Sequence, residues 1–556
     1  MLYTKEEDMR NRKPQEKMEL MFFTCKLKLI SIFLCLSLGF FSSITSASFL
    51  DCISRQISPN FTLSDILLTP NDTSYSIVLD STLQNLRFST PTSPKPLAII
   101  TPSSYSHVQS TVICCVDYGL QIRIRSGGHD YEGLSYTSHD QTPFILLDIN
   151  KLRSVTVNLD DKTAWVESGA TLGELSYWVS QKSNLLGFPT GECTSVGVGG
   201  QISGGGFGTM ARKYGLSADN VIDARIVDVN GRILDRYSMG EDLFWAIRGG
   251  GGGSFGVVLS WKINLVYVPP VVTVFSLSKL LDEGATRVVN KWQYIAHNIT
   301  EDLFINLVVR PVPVPDQEGN TTMQVTFNSL FLGTADELMA IVNETFPELG
   351  LQETDCIEMT WIESVVYFSV YLRGESIHAL IERRPWPKSY NKFKSDYVKK
   401  PIPEDALEEI WKWCLKENLI LAIEPHGGRM SQIEETETPY PHRKGNLYII
   451  QYVMQWTDAG FNESENRVAS IRKVYENMTP FVSKNPREAY VNFRDLDLGS
   501  NGCGCRTSYL QASKWGRKYF KGNFRRLSMV KGEVDPTNFF CNEQSIPPLV
   551  LVHSSS

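Results

Sequence analysis

The chain has little of what marks several large protein classes. Histidine is scarce, 8 in 556 residues. His139, His378, His426 and His442 show no zinc-like spacing with the cysteines, so no metal site is expected. No Lys/Arg run of consequence occurs and the formal net charge is −7, which argues against a nucleic-acid partner. Basic pairs such as Arg383-Arg384 and Lys399-Lys400 read as solvated surface. There is no Gly-x4-Gly-Lys-Ser/Thr segment, which excludes a P-loop. Apolar runs are short: that from Leu29 to Phe41 is below the length of a membrane span, and no later segment reaches it. Neither an internal repeat nor a long low-complexity stretch is evident. What is present is an ordinary globular composition, 42% apolar and 21% charged, in a chain long enough for two or three structural units.

The N-terminus reads as an address. Lys26 and Lys28 flank the Leu29–Phe41 run, and small polar residues end it at Thr45-Ser46-Ala47. This is the pattern of a secretory signal peptide, with residues 1–47 as leader plus extension and a mature start near Ser48. The polar stretch Met1 to Glu19 leaves Met18 or Met21 as alternative starts. Seven sequons, at Asn60, Asn71, Asn298, Asn320, Asn343, Asn462 and Asn477, fit an exported glycoprotein. Removing Cys25 and Cys35 from the 11 cysteines leaves an odd number. In an oxidising compartment the odd thiol is free or bonded to something else.

From about Lys95 to Val268 the sequence alternates short apolar runs with turns and helical stretches. Pro96 to Ile100, a helical Ser104 to Val116 and Leu120 to Ile124 read as a β-α-β unit. Phe144 to Asp148, Ser154 to Val157 and Thr163 to Val166 follow as strands. Thr171 caps a helix through Val179, with Glu174 at the capping-box position. Val221 to Asp228 and Arg232 to Leu234 flank Asn230-Gly231, which favours a type I′ hairpin turn. Pro269-Pro270 marks a boundary. Residues 269–486 then show strands (Val272 to Ser276, Met323 to Leu332) and helices (Thr334 to Phe346, Pro403 to Glu417), an α+β unit with a largely antiparallel sheet. Residues 487–548 change character again.

Two glycine-rich segments carry the chemistry. Arg125-Ser126-Gly127-Gly128-His129-Asp130-Tyr131-Glu132-Gly133 holds one imidazole, and Gly191 to Gly208 holds Cys193 together with Gly199, Gly200, Ser203, Gly204, Gly205 and Gly206. Glycine lets backbone amides approach a ligand, and successive amides make a concave nest for an anion such as pyrophosphate. A nucleophile beside each nest points to a cofactor that is cradled and covalently tied. The glycines lie deep in the chain without the strand–helix context of a Rossmann motif, so that fold is rejected. Gly252-Gly253-Ser254-Phe255-Gly256 resembles a nucleophile elbow, but a strand follows it instead of a helix.

With these nests, the stretches Gly215 to Val221, Ser238 to Gly252, Pro441-His442-Arg443, Asn492 to Gly499 and Asp535 to Phe540 make the chain similar to plant berberine bridge enzyme-like proteins. These are FAD-linked oxidases of the vanillyl-alcohol oxidase superfamily. The resemblance implies a PCMH-type FAD-binding domain over 48–268, a substrate domain over 269–486 and a C-terminal segment, 487–548, returning to the FAD domain. It implies FAD bonded to both His129 and Cys193, with Arg125 to Asp130, Ser135, Gly199 to Gly206, Val221 and Asn538 around it. It further implies a disulfide pair of Cys52 and Cys114, and at Val196 a small residue that admits dioxygen.

Phe207, Ile449 and Phe493 stand where relatives carry proton-transfer groups. Of the polar residues left in matching segments (Tyr490, Gln451, Tyr452, Glu424 and His426), Tyr490 is expected as base and Gln451 as substrate-orienting. The expectation is a secreted, monomeric oxidase, extracellular or in the cell wall, with the vacuole or endomembranes as alternatives, that reduces dioxygen to hydrogen peroxide. Cys193-Thr194-Ser195 resembles members acting on cell-wall oligosaccharides. An alkaloid-type oxidase, a monolignol oxidase and a flavin-binding protein with little turnover are the rival readings.

Overall fold

The structure, a computed structural model, describes residues 48–56, 63–140, 142–315, 317, 319–369, 371–384, 387–458, 460–502, 504 and 506–550. The expected leader and Asn60 lie outside the described residues, as do Cys503 and Cys505. Residues 48–56 form a helix.

The predicted β-α-β unit is part of a four-stranded sheet. It contains β1 (Leu67–Leu68), β2 (Ala98–Ile100), β3 (Gln121–Arg125) and β4 (Phe144–Asp148) in the order β1-β2-β4-β3. β4 runs parallel to both β2 and β3, with helix Tyr105–Asp117 as the crossover. Strands covered on both faces read as continuous apolar runs, and every residue of β4 is buried.

A second, antiparallel sheet joins β5 (Val155–Asn158), β6 (Thr163–Glu167), β8 (Val221–Val227), β9 (Ile233–Leu234) and β10 (Val257–Asn264) in the order β5-β6-β10-β8-β9. A small ribbon pairs β7 (Leu186–Gly187) with β11 (Val266–Tyr267). Helix Leu172–Ser180 starts on the predicted Thr171/Glu174 capping box. The β8–β9 hairpin forms as well, but not on a two-residue type I′ turn. The Asp228 carboxylate accepts from Asn230 N and Arg232 N, and of the Asn-Gly pair only Gly231 has positive φ. An Asx turn has displaced the Asn-Gly geometry.

Among the described residues past Pro270, the strands belong to one seven-stranded antiparallel sheet. Its members are β12 (Val272–Leu280), β13 (Leu303–Pro313), β14 (Thr321–Phe331), β15 (Ile357–Met359), β16 (Tyr390–Val398), β17 (Ile420–Pro425) and β18 (Tyr448–Trp456), in the order β15-β12-β14-β13-β17-β18-β16. Helices Ala285–Ile295 and Glu404–Glu417 cover one face, where Trp292 and Trp411 pack with Leu421, Ile423 and Ile450. Side chains alternate along a strand, so Asn306, Glu424, Ile449 and Gln451 share the opposite face.

The C-terminal segment binds both parts. Arg123 on β3 pairs with Glu543 at 2.8 Å, and Tyr490 N donates to Ser395 Oγ on β16 at 3.0 Å. Buried Lys392 on β16 bonds Asp495 at 2.7 Å and also Glu132, while Lys394 reaches Asp495 at 2.7 Å. The result is a mixed α+β fold, as the sequence predicts. Cys52, Cys114 and Cys541 are disulfide-bonded, whereas Cys115, Cys193, Cys356 and Cys414 carry free thiols. Among the described residues no helix is long and apolar enough to cross a membrane.

Candidate active site

The two glycine segments meet backbone to backbone. A Cβ on Gly127 would stand 2.2 Å from Gly197 N, and one on Gly197 would stand 1.9 Å from Ser126 Oγ. No side chain can be inserted there without moving main chain. Ser126 Oγ donates to Ser168 O at 2.6 Å, and Gly128 takes φ +74° to turn the chain into His129. The Arg125 guanidinium is fully buried on Asp148 Oδ2, Leu79 O and Val78 O, each at 2.7 Å. Its side chain therefore locks the loop and does not point at a ligand, which narrows the role expected of it. Asp130 braces the turn beyond, accepting from Glu132 N at 3.0 Å and Leu134 N at 3.1 Å and pairing with Arg494 at 3.0 Å.

This contact brings the two nucleophiles to one hydroxyl. Ser195 Oγ lies 2.9 Å from His129 Nε2 and 3.7 Å from Cys193 Sγ. Burial pushes the His129 imidazole down to about 4, against a hydrogen bond that the ring donates to the Ser195 backbone and that raises it, so the ring is neutral and nucleophilic at physiological pH. Burial also raises the Cys193 thiol, opposed by hydrogen bonds from Ser195 and Val196.

The rest of the second nest closes around the same space. Gly204 abuts Asn492 Oδ1, which a Cβ would approach to 1.9 Å, while Gly205 and Gly206 take φ of +115° and +83°. Gly206 N and Phe207 N both donate to Tyr490 Oη, at 3.0 and 3.2 Å, and Asn492 Nδ2 adds a third donor at 3.0 Å. Ser203 O accepts from Gly251 N at 2.7 Å, drawing in the later glycine cluster. Val221 opens β8 opposite Ile263, and Asn538 sits at φ +58° after helix Asn523–Val534.

On the sheet side, Gln451 Nε2 donates to Tyr131 Oη at 2.8 Å. The Tyr131 ring stacks on Phe393 at 4.0 Å and on Phe493 at 6.0 Å. His426, held down to about 3 by burial, stacks on Phe207 at 5.0 Å and reaches Tyr440 Oη at 3.1 Å. Tyr452 is not part of the site: it faces the helix side and donates to Asp396 Oδ2 at 3.0 Å. Three residues that sequence reasoning did not single out belong here. Tyr131 and Glu192 lie inside the glycine segments, and Asn306 donates from β13 to Glu192 Oε1 at 3.0 Å. A polar residue in the apolar run Leu303 to Val309 was the available signal for Asn306.

Two observations fit a flavin dinucleotide. Among the described residues the Ser135 hydroxyl is buried without a partner, a donor suited to a phosphate oxygen. A Cβ on Gly200, in contrast to its neighbours, would meet nothing within 4 Å, so the nest opens there onto free space. Comparison with known proteins agrees. Residues 96–236 match a family described as FAD binding domain, and residues 489–547 one described as berberine and berberine like. Tetrahydroberberine oxidase of Berberis wilsoniae is 54% identical over 485 residues, covering 86% of this chain and 90% of the relative. O-acetylstemmadenine oxidase of Catharanthus roseus is 51% identical over 507 residues, covering 91% and 94%. Among solved structures, Phl p 4, a grass pollen allergen with glucose dehydrogenase activity, is 44% identical with a TM-score of 0.85, covering 90% of this chain and all of that one. The chain belongs to the berberine bridge enzyme-like family of FAD-linked oxidoreductases.

Proposed function

We propose that this protein is a secreted oxidase in which His129 and Cys193 both bond the flavin, and which passes the electrons of a small organic substrate to dioxygen. The observation that carries the reading is the shared Ser195 hydroxyl, which brings a neutral imidazole and a thiol together. When bound, the flavin supplies hydride acceptance, and the protein supplies position and electrostatics. Half-buried Val196 supports dioxygen as acceptor. Wild-type Phl p 4 is a glucose dehydrogenase, and its isoleucine-to-valine variant is a glucose oxidase. Export is supported by the exposure of Asn71, Asn298, Asn320, Asn343 and Asn462, with Asn477 half-buried.

For Tyr490 the surroundings favour positioning over proton transfer. Three N–H donors hold its oxygen under the Gly206–Phe207 turn, and burial pushes the phenol up to about 12. Gln451 orients Tyr131, and through it the aromatic wall. That wall suits an aromatic, basic substrate of the kind for which the alkaloid-oxidase relatives are named. A sugar alcohol is the second reading, favoured by the uncharged line Ser276 Oγ to Asn328 (2.9 Å) to Asn306 (3.2 Å) that leads in from solvent.

The test is to secrete the protein from a eukaryotic host, precipitate it in acid and map the yellow peptide. Flavin on both His129 and Cys193 is expected, with peroxide released on a panel of cyclic amines and sugars. Colourless precipitate from folded protein would sink the covalent assignment.

A further inference from the structure

Glu192 and Glu424 are two carboxyls that flavin attachment leaves unused. Glu424 lies on β17 as the cross-strand partner of Ile449, on the face that carries Gln451. The β13–β17 register, Leu307 opposite Ile423, brings Asn306 beside Glu424 on that face, and Asn306 Nδ2 holds Glu192 Oε1 at 3.0 Å. Glu192 immediately precedes Cys193, which ties the pair to the candidate active site. Among the described residues neither carboxyl has an ion-pair partner, and the Glu424 carboxyl accepts no hydrogen bond. The titratable groups facing them are the Cys193 thiol beside Glu192 and the phenols of Tyr131 and Tyr490 beside Glu424, with no lysine or arginine.

Burial raises both carboxyls above the usual carboxylate range; at Glu424 the Glu192 charge adds to the rise, and at Glu192 the Asn306 hydrogen bond opposes it. Such a pair titrates as a unit and holds one proton over an interval around neutrality. It then carries a single uncompensated negative charge. Beside it stand the rings of Tyr131, Phe393 and Phe493, stacked in one wall. A flat organic cation satisfies both features, and a neutral sugar satisfies neither.

We propose that Glu192 and Glu424 together form the proton acceptor of the substrate half-reaction, and that their shared negative charge selects substrates arriving as protonated amines. The proposal rests on the flavoprotein oxidase reading above. The ammonium N–H bond breaks and its proton goes to the singly ionised pair, leaving the electron pair on nitrogen. With the electron pair freed to form the C=N bond, the amine would be ready to give up its adjacent C–H as hydride and end as an iminium, the flavin, when bound, supplying the two-electron hydride acceptance. The pair returns its extra proton to solvent before the next turn.

The test uses the flavin-loaded, secreted protein and benzyltrimethylammonium, which has neither an N–H nor a free electron pair and so binds without turnover. Binding is read from perturbation of the flavin absorbance as pH rises through neutrality, with D-glucose as the neutral control. The cation is expected to bind at least tenfold more tightly at the alkaline end than at the acid end, while the response to glucose stays flat. In Glu424→Gln, Glu192 loses its like-charged neighbour, so the rise shifts to lower pH. Glu424→Asp keeps the two-carboxyl behaviour and guards against a variant that merely fails to load flavin. Cation binding that ignores pH in a yellow wild type, or an unmoved profile in yellow Glu424→Gln, overturns the proposal and leaves the flavin assignment intact. A wild type without flavin overturns the oxidase reading and this proposal with it.

Discussion

The two sides of the proposed active site, the wall assigned to the cofactor and the wall assigned to the substrate, are built on opposite principles. In the cofactor wall the main chain leaves no room. Added Cβ atoms on Gly127, Gly197 and Gly208 would lie 2.2, 1.9 and 1.8 Å from Gly197 N, Ser126 Oγ and Thr190 O. Function there resides in backbone amides and in two nucleophiles fixed by one hydroxyl. In the substrate wall the working groups are side chains of long strands, and Asn306, Glu424, Ile449 and Gln451 come together only because three strands pair in one register. On the function proposed above, attachment chemistry is held rigid while substrate choice is free to change one side chain at a time.

The sharpest way to break that contrast is to put methyl groups into the cofactor wall. Gly127→Ala drives a Cβ into the backbone of Gly197, where no flexible side chain can yield. Overpacking costs about 1–3 kcal/mol when neighbours can adjust, and more is expected here. The expected outcome is protein that is not secreted or lacks flavin. Gly200→Ala is the counterpart: its Cβ meets nothing within 4 Å, so the polypeptide should fold while flavin occupancy falls. Circular dichroism melting with flavin absorbance separates the two, and a Gly200→Ala protein with full flavin would remove that glycine from the cradle.

A smaller but still large effect is expected where the walls are tied together. Lys392, 2% exposed on β16, bonds Glu132, three residues beyond His129, as well as Asp495 of the C-terminal segment. Removing one partner of a buried ion pair costs about 3–5 kcal/mol, because a charge is left without compensation. Lys392→Met should lower the melting temperature of the holoprotein accordingly, and a melt within error of wild type would mean that the walls are held by packing alone.

The two walls also differed in how far the sequence revealed them. The glycine nests, the Thr171 capping box and the β-α-β unit are local, and their residues stand next to one another in the chain. The substrate wall joins positions as far apart as Glu192, Asn306 and Gln451, and pairing register is not written in any short stretch. Tyr452 shows the consequence. It is polar and adjacent to Gln451, yet the strand period of two turns it to the helix face and onto Asp396. The Asn-Gly turn failed for a related reason, since Asp228, two residues before Asn230, captured the backbone amides that the dipeptide pattern left out of account.

The mildest perturbation tests the link between the nucleophiles themselves. Ser195→Ala removes a hydroxyl that His129 Nε2 approaches to 2.9 Å and Cys193 Sγ to 3.7 Å, and introduces no clash. A single hydrogen bond is worth about 0.5–1.5 kcal/mol net, so neither the fold nor the final attachment should be lost. The hydroxyl's effect lies in orientation: without it the imidazole keeps its hydrogen bond to the Ser195 backbone and the thiol those of the Ser195 and Val196 backbone, but nothing links the two side chains, and the second bond must await a less frequent geometry. Newly secreted Ser195→Ala protein should therefore contain flavin attached at one site, which converts with time to attachment at both. Mass spectrometry of the flavin peptides over hours reads this directly. Attachment at the wild-type rate would show that the glycine contact between Gly127 and Gly197 sets the alignment alone, making the cofactor wall entirely a property of the main chain.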